Sequence, residues 1–480
     1  MKKRVVFLLL GLAIVVFGCS QERDLSPVAP LDQGTPTFDA AAFARAMARQ
    51  AGWPIETEEA DAVAGQPLAH GEDPPVLDFE RTVITGHIVH YSMQVPVGPG
   101  QYDVIGIHRV VRENRPGRPI KTHKALFMLH GDLKNFATMF LPGQFSPHLP
   151  SDFGIAVYLA EHNIDVWGIS QGWNFVPAEE TDFSFFADWG IQREVDHLSA
   201  GLSIAREARA LSGNGLHPML LLGYSSGCVT GYALLNEEAQ QPESERQVKG
   251  YIAADCGVRS DDEDWLACWE MWVPWYQELY DSGQYQDILQ FRDAAFRART
   301  DPDGPSPYLP GYTNWQCAMF FGGGLLFAPA VARYHAPILE DDFPVGFQHI
   351  TTDQWLDFME NAAAYEPILF ELEYSQLFAM YDSPFVSHLG DVTVPVLDIG
   401  GAGGIAPYTA ATISYLGSTD ITQLYISTGM PQELDYGHID IFTGLNSPRL
   451  AWDPILHWVI RHSAPGQEGR DAPEEMALGD

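Results

Sequence analysis

The stretch that most constrains the fold of this chain covers residues 218–231, PMLLLGYSSGCVTG. Met219 to Leu222 is a short apolar run of the length of a buried strand. Gly223-Tyr224-Ser225-Ser226-Gly227 follows with no spacer, and from Cys228 to Leu235 the residues read as the start of an apolar helix. A strand that becomes a helix through G-x-S-x-G must turn sharply, leaving the central Ser in a strained backbone conformation with its hydroxyl exposed. Glycine flanks it because a Cβ there would strike the neighbouring strand and helix. The pattern predicts a nucleophile elbow at Ser225.

The rest of the chain organises around that turn. Residues 82–94 and 102–112 are β-rich runs split by Val97-Gly98-Pro99-Gly100, which predicts an antiparallel hairpin at a sheet edge. Further strands are expected at 124–130, 164–170, 219–222 and 248–254, with helices at 153–162 and 188–211 between them. Alternation stops after 257 and resumes at 394–400, followed by a helix near 408–416, a strand at 421–427 and a last helix at 450–462. This predicts an α/β chain with a doubly wound, mostly parallel sheet over 76–257 and 386–465, and a helical cap, 258–385, inserted after the sixth strand. Four Trp at 265, 269, 272 and 275 make a helical stripe in the cap. It reads as a packing face, part of which could line an apolar pocket. Residues 19–75 read as a tether with one amphipathic helix around 38–51, and 466–480 as a disordered acidic tail.

Met1-Lys2-Lys3-Arg4 is a basic n-region, and residues 5–17 form an apolar run too short to span a bilayer. The run ends in Val16-Phe17-Gly18-Cys19, which resembles a bacterial lipobox. That resemblance implies a signal peptide over 1–18, acylation of Cys19, and a lipid bilayer reached through an acyl anchor. Ser20 then favours the outer membrane; an ordinary secretory signal is the alternative. The chain holds 63 Asp and Glu against 27 Lys and Arg, a net charge of −36, which argues against nucleic acid as a partner. Of the other cysteines, Cys228 and Cys256 read as core residues, while Cys268 and Cys317 could pair in an oxidising compartment. No Cys-x-x-Cys or His-rich cluster has metal spacing, so no structural zinc is expected.

A serine hydroxyl needs a His to take its proton, a carboxylate to orient that His, and N–H donors for the oxyanion. His438, in Tyr436-Gly437-His438 between the last strand and last helix, is the expected base. The N–H of Ser226 and of Asp132 are the expected oxyanion donors, with Leu133 as alternative and the Asp132 carboxylate pointing away. The acid is expected in the turn after the post-cap strand, where Gly404 occupies its slot. Asp255, at the end of the sixth strand, is preferred instead, with Asp398, Asp420 and Asp440 as fallbacks.

On Leu129-His130-Gly131, Asp165-Val166-Trp167-Gly168, the Ser225 elbow and Gly437-His438, the chain resembles the α/β-hydrolases over 76–257 and 386–463. Between the third and fifth strands it is also similar to gastric and lysosomal acid lipases, through Ala156-x-x-Leu159-Ala160 and Phe183-Ser184-Phe185. An acid after the sixth strand is similar to pancreatic-type lipases. The resemblance implies a serine esterase or lipase that cleaves apolar, lipid-like esters through an acyl-enzyme, without metal or organic cofactor. Two alternatives stand beside it. One is an amidase or peptidase with the same triad, whose cap would supply a carboxylate for the substrate amine, as in the run Asp261-Asp262-Glu263-Asp264. The other is a binding lipoprotein on a non-catalytic hydrolase fold.

Overall fold

The computed structural model describes residues 38–55 and 74–463. The signal peptide, Cys19, most of the tether and the acidic tail lie outside the described residues. In chain order the strands are β1 (Leu77–Thr85), β2 (Ile88–Pro96), β3 (Val104–Arg115), β4 (Arg118–Pro119), β5 (Ala125–Leu129), β6 (Asp165–Ser170), β7 (Met219–Tyr224), β8 (Val248–Ala254), β9 (Gln286–Ile288), β10 (Pro337–Glu340), β11 (Phe343–Phe347), β12 (Tyr365–Pro367), β13 (Val396–Gly401) and β14 (Ile421–Ile426). The main sheet runs β1-β2-β3-β6-β5-β7-β8-β13-β14, with β4 paired to β3. From β6 to β14 all neighbours are parallel, while β1, β2 and β3 form an antiparallel edge.

The central strands are apolar throughout because helices cover both faces. Leu126 and Met128 of β5 point into one core, and Phe127 and Leu129 into the other. One face is covered by helices Ile191–Leu211 and Ser226–Glu238, the other by Ile155–Glu161 and Asp453–Ser463.

Three local expectations change. Residues 82–94, expected as one strand, fold back on themselves as β1 and β2. Gly86 adopts the left-handed φ of +49° that a tight hairpin turn requires. Part of the expected tether is core: helix Ala40–Ala51, capped by the Asp39 carboxylate, buries Ala44 and Met47 against Leu198 and Leu202. Trp53 then packs edge-on against Tyr91 and Trp167. The helix expected near 408–416 is a 3₁₀ segment, Ala406–Tyr415, in which Thr409 and Thr412 hydroxyls donate to backbone carbonyls.

Between β8 and β13 lie five helices of the cap: Glu263–Asp281, Phe291–Thr300, Asn314–Gly323, Thr352–Glu360 and Ile368–Phe378. The two small sheets β10-β11 and β12-β9 accompany them, so this region is mixed and not purely helical. Trp265 and Trp269 are buried against Phe327 and Phe378, which makes the start of the Trp stripe a packing face. Cys228, Cys256, Cys268 and Cys317 are all buried free thiols, so the pairing considered for Cys268 and Cys317 is absent.

At the opposite end of the sheet from the elbow, Asp165 is fully buried between two guanidiniums. Arg109 donates to it through Nε and Nη2 at 2.8 and 3.0 Å, and Arg209 through Nη1 at 2.5 Å. Arg109 also lies over both the Trp53 and Trp167 rings, 4.6 Å from each centroid. Burial alone would raise the Asp165 carboxyl, but Arg109 and Arg209 hold it below the usual carboxylate range. Asp165→Asn is therefore expected to cost about 3–5 kcal/mol of stability in urea unfolding, because it strands two buried cations. Because the folded carboxyl is depressed, this support is present above the unfolded pKa and is lost as pH falls through the folded one.

Candidate active site

The parallel register sets the site. Leu129 of β5 pairs with Gly223 of β7, Tyr224 with Ala254 of β8, and Ala254 with neighbour Ile399 of β13. The residues that follow these strands, at 130–132, 225 and 255, therefore emerge side by side at one sheet edge.

Ser225 has φ +57° and ψ −128°, a conformation disfavoured for any residue but glycine. It is held by its N–H donating to the Ala254 carbonyl at 3.2 Å and by helix Ser226–Glu238 starting at the next residue. The turn brings it so near β5 that a Cβ on Gly131 would lie 2.4 Å from the Ser225 Cβ. Ser225 Oγ is 2.9 Å from His438 Nε2, and His438 Nδ1 is 2.6 Å from Asp255 Oδ2. The imidazole is buried and stacks on Tyr224, with ring centroids 4.8 Å apart.

Asp255 follows β8 directly and is fully buried, with φ +52°. Its Oδ1 accepts from the N–H of Gly401 and Ala406, and its Oδ2 from Ile405, at 3.0 to 3.1 Å. The donors come from the last residue of β13 and from the turn and 3₁₀ segment that follow it. A Cβ on Gly404 would lie 2.2 Å from Asp255 Oδ2. The slot in which the acid was first expected is thus filled by a carboxylate from the neighbouring strand.

The fallback acids have other partners. Asp398 faces Gln423 and Tyr425 at 2.9 and 3.0 Å, and burial pushes its carboxyl up to about 6. Asp420 is exposed and meets His462 at 3.3 Å. Asp440 is bonded to His335 Nδ1 at 2.7 Å and to the N–H of Ala336 and Gly437, bracing the base loop against the cap. The cap also accepts the His438 and Ile439 N–H on the Arg333 and Tyr334 carbonyls, at 2.8 Å each.

Ser226 stands at the first position of its helix, where N–H groups lack intrahelical partners. Leu133 is removed as an alternative donor, because its N–H is taken by Glu366 Oε1 at 2.5 Å. His130 staples the loop: Nε2 accepts the Gln171 N–H at 3.2 Å, so Nδ1 carries the proton and donates to the Gly131 carbonyl at 2.7 Å. Burial lowers this imidazole to about 4, fitting a neutral structural ring.

The Asp132 carboxylate does not point away. It gathers with Glu366 and Glu371 of the cap, one ligand oxygen from each lying within 4.8 Å of the others. Asp132 is only partly buried as a residue, yet burial of its carboxyl pushes it up to about 6, against the pull of the Ser226 hydroxyl and His438. Sequence reasoning missed Glu366 and Glu371 and looked for cap carboxylates at 261–264. There, Asp262 instead caps helix Glu263–Asp281 through the Trp265 N–H at 2.9 Å, and Asp261, Glu263 and Asp264 are exposed. Buried Glu194, pushed up to about 8 by burial, was also missed, since an acid in a helix's first turn reads as a dipole partner.

No family model and no curated protein matches the chain. Solved structures do. A protein from Sulfolobus solfataricus named as a lipase aligns over 80% of this chain and 99% of its own, at 16% identity and a TM-score of 0.54. Paleococcus ferrophilus monoacylglycerol lipase aligns over 70% and 94%, at 10% identity and a TM-score of 0.39. A soluble variant of Saccharomyces cerevisiae monoglyceride lipase aligns over 83% and 100%, at 12% identity and 0.36. At these identities the likeness speaks to architecture: the sheet order, the flanking helices and the Sulfolobus match together show that this chain has the α/β-hydrolase fold.

Proposed function

We propose that this protein is a serine hydrolase that cleaves carboxylic esters through an acyl-enzyme. The observation that carries the reading is the continuous chain from Ser225 Oγ through His438 to Asp255, at 2.9 and 2.6 Å. In the first half-reaction His438 Nε2 takes the Ser225 proton as Oγ attacks the ester carbonyl. The oxyanion forms against the N–H of Ser226 and Asp132. His438 then returns the proton to the leaving alcohol, and Asp255 stabilises the transient imidazolium. Water, deprotonated by the same His438, releases the acid and restores Ser225.

The reading of a non-catalytic binding lipoprotein rested on the empty acid slot at Gly404, and Asp255 removes that ground. Acylation at Cys19 and an outer-membrane location remain part of the proposal, carried by the lipobox-like residues 16–19. A panel of p-nitrophenyl esters tests the activity. Ser225→Ala is expected to lower turnover at least 1,000-fold or so. Turnover that survives the substitution, or none in the wild type, would overturn the serine-hydrolase reading.

A further inference from the structure

Beside the nucleophile the protein gathers three acidic side chains. Asp132 comes from the loop after β5, Glu366 from β12 and Glu371 from helix Ile368–Phe378. Glu366 and Glu371 are 4% and 3% exposed. Among the described residues no ion pair involves any of the three. Lys134, close in sequence, is turned instead onto the Phe358 ring and carbonyl. A buried carboxylate oxygen with no partner is costly to keep, and Glu371 Oε1 is such an atom. Its Oε2 accepts from the hydroxyls of Tyr276, at 3.0 Å, and Tyr374.

Resting on the serine-hydrolase reading, we propose that this cluster is the binding site for a substrate ammonium group, so that the preferred substrates are esters, or the corresponding amides, carrying a protonated amine near the scissile carbonyl. The spacing suits this ligand. An ammonium nitrogen about 2.8 Å from each of several oxygens in a tetrahedral arrangement holds them about 4.6 Å apart, a separation that oxygens lying within 4.8 Å of one another can meet. The surroundings favour an organic cation over a metal ion. One oxygen of Glu366 is spent on the Leu133 N–H, one of Glu371 on two tyrosines, and aromatic rings line the site. Tyr334, whose ring centroid is 6.1 Å from that of His438, lies within electrostatic range of all three carboxylates, which ties the cluster to the reacting centre. Burial and the mutual repulsion of these acids push Glu366 and Glu371 well above the usual carboxylate range, and a cation bound among them would oppose both effects.

Phenyl esters of alanine and 4-aminobutyrate, set against those of isobutyrate and pentanoate, exchange an ammonium for a methyl with little change in shape. At least one ammonium ester is expected to exceed its isostere about 10-fold in kcat/KM, with the difference in KM. Glu371→Gln is expected to collapse that ratio, and Glu366→Gln serves if the first variant folds poorly. A wild-type preference for both neutral esters, or a ratio unmoved by both substitutions, would overturn the ammonium site. Calorimetry with alaninamide on Ser225→Ala separates this from the activity. Binding lost on adding Glu371→Gln supports the site even if no ester turns over, and absence of binding counts against it. Titration with magnesium or calcium alone should give no Glu371-dependent binding; if it does, the cluster is a metal site and the proposal fails.

Discussion

Asp255→Asn is expected to lower kcat for ester hydrolysis by about 10⁴-fold, with KM changed far less. The reason is the direction of one hydrogen bond. Asp255 Oδ2 accepts from His438 Nδ1, which leaves Nε2 as an acceptor facing the Ser225 hydroxyl. The three N–H groups of Gly401, Ile405 and Ala406 hold the side chain in place. An asparagine can present its NH₂ to Nδ1, which moves the ring proton to Nε2 and turns the base into a donor toward Ser225. Asp398→Asn is the control. Its carboxylate is engaged by Gln423 and Tyr425, and the change is expected to cost only a few-fold in kcat. A large loss on Asp398→Asn with little on Asp255→Asn would reassign the acid. Thermal unfolding of both variants distinguishes lost chemistry from lost fold.

The parts of this site that were legible in the sequence are those encoded by contiguous residues. The elbow is legible because strand, turn and helix follow one another within residues 218–231, although the contact that demands Gly227 comes from the His130 carbonyl outside that segment. His438 is legible because its loop must follow the last strand, and parallel order brings such loops to one edge. Asp255 could be placed only as one of several acids at strand ends. What selects it is the ring of N–H donors from the end of β13 and the turn that follows, and that is visible only once β8 and β13 pair. Glu366 and Glu371 were not legible at all. Their neighbourhood has a three-residue strand, β12, and a helix apolar on much of its surface, so no periodicity singles them out. The exposed run at 261–264 carried the more visible charge and proved to be a helix cap. The Asp132 side chain was misjudged because its direction depends on those same cap residues. The 82–94 hairpin was misjudged because Gly86 alone marks the reversal.

Gly404→Ala tests how far a neighbouring backbone atom controls the acid. It is expected to reduce kcat roughly 100-fold, the scale of a 1 Å misplacement in a catalytic group. The added Cβ would sit 2.2 Å from Asp255 Oδ2 and 2.7 Å from Oδ1, so the carboxylate must move. It can do so only by lengthening its bonds to His438, Gly401, Ile405 or Ala406. Gly429→Ala gives the contrasting case. Gly429 has φ +82° with nothing within 4 Å of an added Cβ, so its substitution is expected to cost about 1–2 kcal/mol of stability with kcat near wild type. A glycine effect that is mere backbone strain would therefore appear in unfolding and not in turnover, whereas Gly404→Ala should lower turnover as well as stability. Gly404→Asp is expected to be at least as damaging, although it restores an acid to the position where a sequence pattern expects one. The new carboxylate would meet an existing one in the same buried space, where two like charges cannot both be accommodated. Wild-type kcat in Gly404→Ala would mean that the Asp255 carboxylate does not depend on that space, and the link between the glycine and the relocated acid would fail.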